Sequence, residues 1–267
     1  MYKQNLHTHT KYCDGLDKPE EVVIAACEKG FKSVGFSMHS FLRSCSVPSE
    51  KIEAYKNEIA VLRKKYAGTI DVYCGLEREM RDNAEISDFD YVIGALHYFR
   101  IEENFVDFDI DSEGVRKVIE QYFNGDGMEY ARAYYQDLAQ LPRYGNFDII
   151  AHFDLITKHC EREAFFDLSS KEYQRFAVEA AEKLAGKIPY FELNTGAMAR
   201  GYRTTPYPDI FLIKELKRLG FGAVISTDCH DKRNLDYGYE EAEMLLKKCG
   251  FKERFVLTKN GFEGIEI

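Results

Sequence analysis

Residues 3–39 read KQNLHTHTKYCDGLDKPEEVVIAACEKGFKSVGFSMH, and this stretch predicts the fold. Two short apolar runs, residues 3–7 and 33–37, flank an amphipathic segment at 19–29 that opens on a proline and stops before Gly30. Proline suits the first turn of a helix, and glycine suits the left-handed residue that ends one. The stretch therefore predicts a strand, a helix and a second strand, which is the repeating unit of parallel sheets.

The same alternation continues along the chain. Further candidate strands lie at residues 71–76, 91–96, 147–151, 190–193 and 223–227, with helical patterns at 48–66, 169–185, 208–219 and 239–248 and a small terminal strand at 254–257. Seven strands alternating with helices predict an α/β fold with a parallel sheet, in one domain spanning residues 1–267. One long insertion, at about 98–146, contains two predicted helices, 112–123 and 128–141, and we expect it to cover one end of the sheet.

Composition narrows the class of protein. The chain has 36 Lys and Arg against 45 Asp and Glu, a net charge of -9, which argues against sequence-independent binding of nucleic acid. It contains no apolar stretch of signal-peptide or membrane-spanning length, so we expect a cytoplasmic protein with no membrane partner. The 7 cysteines are odd in number and form no C-x-x-C pair, which predicts reduced thiols.

Metal-binding residue types recur at one position in the pattern, the carboxyl end of a predicted strand. The residues placed there are His7, His9, His39, Glu77, His97, His152, Asp228 and His230. A single histidine after a strand is most often a capping or core residue. In a βα barrel, however, these ends converge on one face, where such barrels build active sites. Taken together, the residues predict one cluster.

The residue types indicate which metals the cluster would bind. Imidazole and carboxylate suit zinc, iron or manganese, whereas calcium and magnesium sites are nearly all oxygen. A catalytic zinc takes about three protein ligands, so this many imidazoles predicts more than one ion. The side chains at both ends of residues 7–9 (HTH) share a face, and residues 228–230 (DCH) repeat that geometry. Glu77 can offer one oxygen to each of two ions and is the candidate bridge.

The motifs, seen jointly and in order, resemble those of the polymerase and histidinol phosphatase (PHP) family, within it the bacterial-type histidinol-phosphate phosphatases. The resemblance covers nearly the whole chain. The motifs that carry it are HTHT (7–10), YCDG (12–15), GFSMH (35–39), GLE (75–77), IGALH (93–97), FDIIAHFD (147–154), ELNT (192–195) and STDCH (226–230).

The resemblance implies a distorted (β/α)7 TIM-like barrel, the PHP fold, holding three divalent metal ions. By motif, the first ion takes His7, His9, Glu77 and Asp228, the second Glu77, His97 and His152, and the third Asp14, His39 and His230. Two positions depart from many relatives, which have histidine in place of Asp14 and aspartate in place of Met38. The first departure keeps a competent ligand, and the second removes a possible partner of His39.

The resemblance also implies an activity, hydrolysis of L-histidinol phosphate to L-histidinol and phosphate in histidine biosynthesis. Phosphate monoesters hydrolyse very slowly in water, so the site must supply a nucleophile and neutralise charge. We expect a hydroxide bridging two ions to attack phosphorus, with Glu77, Asp228 and Arg200 as catalytic residues. The proton for the leaving group would come from Asp228 or from metal-bound water. Arg200 would grip phosphate through its fork, or else be a solvated surface residue.

Substrate recognition is predicted from chemistry and position. A substrate with an ammonium and an imidazole suits acidic and aromatic walls, which Tyr98, Asp107 and Asp109 of the insertion would offer. Arg203 is a second candidate for phosphate, and Asn194 would contact substrate or orient a ligand.

Three other functions stay open at this point. A phosphodiesterase or exonuclease would act on nucleic acid, which the acidic chain does not favour. A protein tyrosine phosphatase would need an open site, whereas the insertion predicts a closed one. A non-catalytic metal-binding module is the third. The oligomeric state is not predicted.

Overall fold

Strands and helices alternate through the computed structural model, which describes residues 2–42 and 44–267. In chain order the elements are β1 (Gln4–Asn5), α1 (Pro19–Glu28), β2 (Ser33–His39), β3 (Phe41–Leu42), β4 (Cys45–Ser46), α2 (Ser49–Lys65), β5 (Asp71–Glu79), β6 (Tyr91–Ala95), β7 (Tyr98–Ile101), β8 (Asn104–Asp107), α3 (Ser112–Tyr122), α4 (Gly127–Leu138), β9 (Ile149–Ile150), α5 (Lys171–Leu184), β10 (Tyr190–Asn194), α6 (Gly196–Ala199), α7 (Ile210–Arg218), β11 (Gly222–Ser226), α8 (Tyr239–Lys248), β12 (Glu253–Thr258) and β13 (Gly261–Glu266). Within the described ranges, no helix combines the length and apolar character needed to cross a bilayer.

The central sheet confirms the prediction of an α/β barrel with seven parallel strands. Its order is β1-β2-β5-β6-β9-β10-β11, the order of the chain, and every pairing is parallel. The two outer strands meet just beyond their carboxyl ends, where Thr8 and Cys229 form a parallel bridge. The His9 amide donates to the Cys229 carbonyl at 2.8 Å, and the Cys229 amide donates to the His7 carbonyl at 3.0 Å. The bridge closes the barrel at the end where the predicted ligands lie.

The side chain of Asn5 also joins β1 to the residue that follows β11. The Asn5 side-chain nitrogen Nδ2 donates to the Thr227 hydroxyl at 2.6 Å, and the Thr227 backbone amide donates to the Asn5 side-chain oxygen at 3.3 Å. Buried backbone groups need partners, so Asn5 replaces ladder hydrogen bonds where the strands diverge. The Asn5 side chain thus joins the two outer strands by hydrogen bonds.

Tyr91 fills the barrel interior. Its hydroxyl lies within hydrogen-bonding distance of the backbone carbonyls of Leu6 and Phe36, the latter at 2.9 Å, and its single proton can be donated to either. Gly75 leaves the space for the ring, since a Cβ atom there would lie 2.2 Å from it. The hairpin of β12 and β13 covers the amino end of the barrel. In this hairpin the Leu257 amide donates to the side-chain oxygen of Gln4 at 2.7 Å. The interior is thus packed, which leaves the carboxyl end for a site.

Helix α5 shows why the predicted helical segments form. Its buried side chains recur at the spacing of one helical face. They are Tyr173, Phe176, Ala177, Ala180, Ala181 and Leu184. The Ser170 hydroxyl accepts from the Tyr173 amide at 3.1 Å and caps the first turn, and Gly186 follows the helix at φ 72°.

The insertion contains both predicted helices, α3 and α4, and also a hairpin that the sequence pattern did not predict. Strands β7 and β8 pair in antiparallel register, with Ile101 opposite Asn104. The turn between them consists of Glu102 and Glu103, with Glu102 at φ 53°. Tight hairpin turns are usually marked by Asn-Gly, Asp-Gly or glycine, so two glutamates gave no signal. Strand β13 was missed as well, although its partner β12 was predicted at 254–257.

Candidate metal centre

The structure brings all nine predicted metal ligands to the carboxyl-end mouth of the barrel. They form three groups in which the ligand atoms lie within 4.8 Å of one another. The groups are His7, His9 and Asp228; Glu77, His97 and His152; and His9, Asp14, His39 and His230. The division follows the three ion sites implied by the family resemblance, except that Glu77 falls in the second group alone and His9 falls in the third as well as the first.

The first group has the separations expected of ligands around one small cation. The Nε2 atoms of His7 and His9 lie 3.2 and 3.4 Å from Glu77 Oε2, and 3.4 and 3.1 Å from Asp228 Oδ1. Ligand atoms about 2.0–2.1 Å from a tetrahedral ion are roughly 3.3 Å apart. Both Nε2 atoms are buried, and neither has a hydrogen-bond partner among the residues that the structure describes. The donor set therefore fits a divalent cation.

The second group uses the other oxygen of Glu77. Its Oε1 atom lies 3.2 Å from His152 Nε2 and 3.5 Å from His97 Nε2, and the two nitrogens are 3.2 Å apart. Two imidazole nitrogens at this distance need a shared proton or a shared cation between them. Glu77 thus presents one oxygen to each group, the geometry expected of a bridging carboxylate.

The third group is looser and closer to solvent. Asp14 Oδ1 lies 3.3 Å from His230 Nε2 and 3.7 Å from His39 Nε2. The side chains of Asp14 and His230 are 36% and 26% exposed, whereas His7 and His9 are fully buried. Greater exposure means that a cation here would exchange with solvent more readily than one in the buried groups.

Electrostatics set the charge of the central ligands: although burial opposes their ionisation, nearby carboxylates raise the pKa of His7 well above its ordinary range and that of His39 to about 10. Burial opposes ionisation of Glu77, but the charges of His7 and His39 hold its pKa well below the ordinary range. Burial, together with the charges of His230 and His39, lowers the pKa of His9 to about 3. A divalent cation requires carboxylate anions and neutral imidazoles, so a cation that binds here would displace the protons of His7 and His39.

Two glutamates behind the ligands were missed by the sequence analysis. Glu192 accepts a hydrogen bond from the His152 amide at 2.6 Å, and its other oxygen lies 2.8 Å from His7 Nδ1. Glu79 Oε2 lies 3.1 Å from His97 Nδ1 and fixes that ring. Carboxylates that hold the second nitrogen of a ligating histidine set its tautomer and orientation. The one feature of the sequence that could have identified Glu192 is its charge, because it lies inside the predicted apolar strand 190–193.

Replacing Glu192 with glutamine is expected to weaken metal binding by about 10- to 100-fold. Glutamine keeps the volume but has one acceptor oxygen, whereas Glu192 accepts with both, including a 2.5 Å bond from the Ser226 hydroxyl. The measurement is metal affinity by competition with a chromophoric chelator. Glu179→Gln, at an exposed position, is the matched control. Equal affinities for Glu192→Gln and wild type would show that this carboxylate does not support the centre.

A cavity of about 270 Å³ opens beside the ligands. Apart from predicted ligands, its walls contain Asp109, Leu155, Lys158, Arg200, Tyr202 and Tyr207. Arg200 Nη2 donates to Asp228 Oδ2 at 2.7 Å, and Nη1 donates to the Asp228 carbonyl at 2.9 Å. Two of the predicted substrate contacts, Arg200 and Asp109, therefore lie on the wall. Lys158, Tyr202 and Tyr207 lie in loops after β9 and β10, where no sequence pattern marked them.

Four other predicted substrate contacts do not line this cavity because their side chains are engaged elsewhere. Asn194 is buried, donates to Glu192 Oε1 at 2.7 Å and so orients a residue behind the ligands. Arg203 lies beneath Tyr207, with its guanidinium 4.7 Å from the ring centre. Tyr98 packs on Phe41 at 5.2 Å between ring centres. Asp107 accepts the Asp109 amide at 2.8 Å.

Comparisons of sequence and of structure relate this chain to known proteins. The profile of the PHP domain family matches residues 5–196. The Bacillus subtilis histidinol-phosphatase is 24% identical over 93% of this chain and 100% of its own length, and a probable histidinol-phosphatase of Deinococcus radiodurans is 26% identical over 91% and 92%. A Lactococcus lactis histidinol phosphate phosphatase, crystallised with zinc, L-histidinol and phosphate, superimposes with a TM-score of 0.72 at 20% identity, covering 98% of each chain. The match to the profile spans well over half of the sequence, and the chain belongs to the PHP domain family.

Proposed function

We propose that this protein is a metal-dependent phosphatase that hydrolyses L-histidinol phosphate to L-histidinol and phosphate. The observation that carries the proposal is the juxtaposition of three groups of metal ligands with Arg200 on the wall of one cavity. The names of the relatives, which align along almost their full lengths, support the choice of substrate. The Lactococcus lactis structure supports it further, since that protein was crystallised with both products of this reaction.

The nine ligands would hold up to three divalent cations, with zinc, iron or manganese favoured by the imidazole-rich set. Such ions, when bound, supply a nucleophilic hydroxide and neutralise charge on the phosphoryl group. Arg200 is positioned to add a cationic fork for phosphate oxygens. Its bond to Asp228 orients the guanidinium before substrate arrives.

Asp228 acts in this scheme as a ligand and as an anchor for Arg200. Burial opposes its ionisation, but the charges of Arg200 and His7 hold its pKa well below the usual range. Asp228 Oδ1 faces the imidazoles of His7 and His9, and Oδ2 accepts from Arg200. Asp228 is therefore an acceptor rather than an acid. The candidate donors of the leaving-group proton are Asp228 and metal-bound water. We therefore assign this proton to water.

The test is phosphate release by metal-reconstituted protein from L-histidinol phosphate and from a panel of other phosphate monoesters. Metal content is measured on the same sample, and chelator-treated protein is the blank. We expect turnover of L-histidinol phosphate to exceed that of the other monoesters. Comparable turnover across the panel would remove the substrate assignment and leave a general phosphatase. Hydrolysis of bis-p-nitrophenyl phosphate in preference to the monoester would indicate a phosphodiesterase. Bound metal without turnover of any ester would indicate a non-catalytic module.

A further inference from the structure

One acidic side chain on the cavity wall lies outside the metal centre. The wall contains the carboxylates of Asp14, Glu77, Asp109 and Asp228. Three of them belong to groups whose ligand atoms could surround a cation, whereas Asp109 belongs to no such group within the described part of the chain. Asp109 also comes from a different part of the fold, the insertion, just after β8. It is therefore the carboxylate of this cavity that remains for an organic cation.

Asp109 is held in place from two sides. The Lys158 ammonium donates to Asp109 Oδ1 at 2.7 Å and to its backbone carbonyl at 3.2 Å. The Asp109 amide in turn donates to the Asp107 carboxylate at 2.8 Å, and this hydrogen bond fixes the backbone. Among the described residues, the hydrogen bond to the side chain uses Oδ1, which leaves Oδ2 for a ligand. The side chain is 34% exposed, so a ligand in the cavity can reach it.

The surroundings of Asp109 suit a cationic group that is partly shielded from water. Tyr202 and Tyr207 share the same wall, and the Lys158 ammonium already lies 4.7 Å from the centre of the Tyr202 ring. Aromatic faces attract cations, and the attraction strengthens when water is excluded. Although burial opposes ionisation, Lys158 and His97 hold the pKa of Asp109 below its usual range. Asp109 is thus an anion with aromatic neighbours.

The cavity wall carries groups that suit both charges of a substrate. The metal ligands and Arg200 suit a phosphate, and Asp109, whose Oδ1 is paired with Lys158, can offer Oδ2 to a cation. A substrate that fits both has a phosphate ester at one end and a positive charge a few bonds away. A phosphate monoester of an amino alcohol has this arrangement.

We propose that Asp109 is a specificity-determining residue whose carboxylate pairs with the ammonium group of an amino-alcohol phosphate, and that Lys158 holds Asp109 in position. The inference rests on the proposed function and adds the residue that selects the substrate. Electrostatic attraction to the ammonium would reject otherwise similar phosphate esters that lack it, because they would leave the Asp109 anion without this partner.

The experiment removes the charge from the protein and from the substrate in turn. Wild type, Asp109→Asn and the control Glu103→Gln are assayed on L-histidinol phosphate and on 3-(imidazol-4-yl)propyl phosphate, which lacks the amino group. A hydrogen bond to a charged group is worth about 10- to 100-fold in kcat/KM. We expect wild type to prefer the amine by that factor and Asp109→Asn to lose the preference. Glu103 is 93% exposed in the turn of the β7–β8 hairpin, which precedes Asp109, and the Glu103→Gln substitution should have no effect.

Two further readouts separate recognition from folding. Metal content and melting temperature are measured for each variant, and binding of L-histidinol and its deaminated analogue is measured by calorimetry. If Asp109→Asn lowers kcat/KM equally for both esters, the Asp109–Lys158 pair only fastens the insertion, and the inference is overturned. If wild type turns over neither ester yet binds L-histidinol in an Asp109-dependent way, the proposed function fails and the recognition stands. Binding that is independent of Asp109 overturns the inference regardless of turnover.

Discussion

Replacing Glu77 with glutamine is expected to lower the rate of phosphate release by about 100-fold or more and to reduce the bound metal, because disturbing even the residues behind a metal ligand costs 10- to 100-fold. One carboxylate oxygen faces His7 and His9, and the other faces His97 and His152. Glutamine has a single acceptor oxygen, so its NH₂ group must point at one of the two imidazole pairs. That pair then loses a ligand whichever way the amide is turned.

The measurement combines elemental analysis with steady-state rates on the same preparation. Glu53→Gln makes the same chemical change at a side chain that is 62% exposed and belongs to none of the three ligand groups found among the described residues. It should retain wild-type metal content and rate. Full metal content in Glu77→Gln would remove Glu77 from its bridging position, and an unchanged rate would remove it from the reaction.

Replacing Arg203 with alanine is expected to destabilise the fold by about 3–5 kcal/mol, since breaking a buried ion pair leaves an uncompensated charge. The Arg203 side chain is 4% exposed and lies 3.7 Å from Asp154, which is fully buried. Its guanidinium also supports the ring of Tyr207 on the cavity wall. The structure therefore indicates that Arg203 acts on stability and on the position of Tyr207, beneath the surface that substrate would touch.

The free energy of unfolding is measured by urea denaturation, with Arg175→Ala as the control. Arg175 is 60% exposed, and its loss should change stability by less than about 0.5 kcal/mol. A variant at Arg203 that keeps wild-type stability but fails to bind inorganic phosphate would restore the direct phosphate contact predicted from sequence.

Much of the metal centre could be predicted because its ligands follow strands. Residues such as His97 and His152 come directly after short apolar runs, and the carboxyl ends of parallel strands meet at one mouth. The residues behind them were harder to find. Glu192 lies within β10, and its local sequence does not show that its two oxygens bond to His7 and His152, which follow β1 and β9. Its partners are far away in the chain.

The sequence pattern by itself determined the fold class, the number of strands and the candidate metal ligands other than Asp14, which came from the resemblance to the PHP family. Those properties depend on local periodicity and on residue type at strand ends, both of which are readable without contacts. Only the tertiary structure decided that Glu77 presents separate oxygens to two groups, that Arg203 lies beneath Tyr207, and that Asp109 and Lys158 meet across the cavity. These arrangements join loops and strands from distant parts of the chain, and the path of each loop is set by packing rather than by its own sequence pattern.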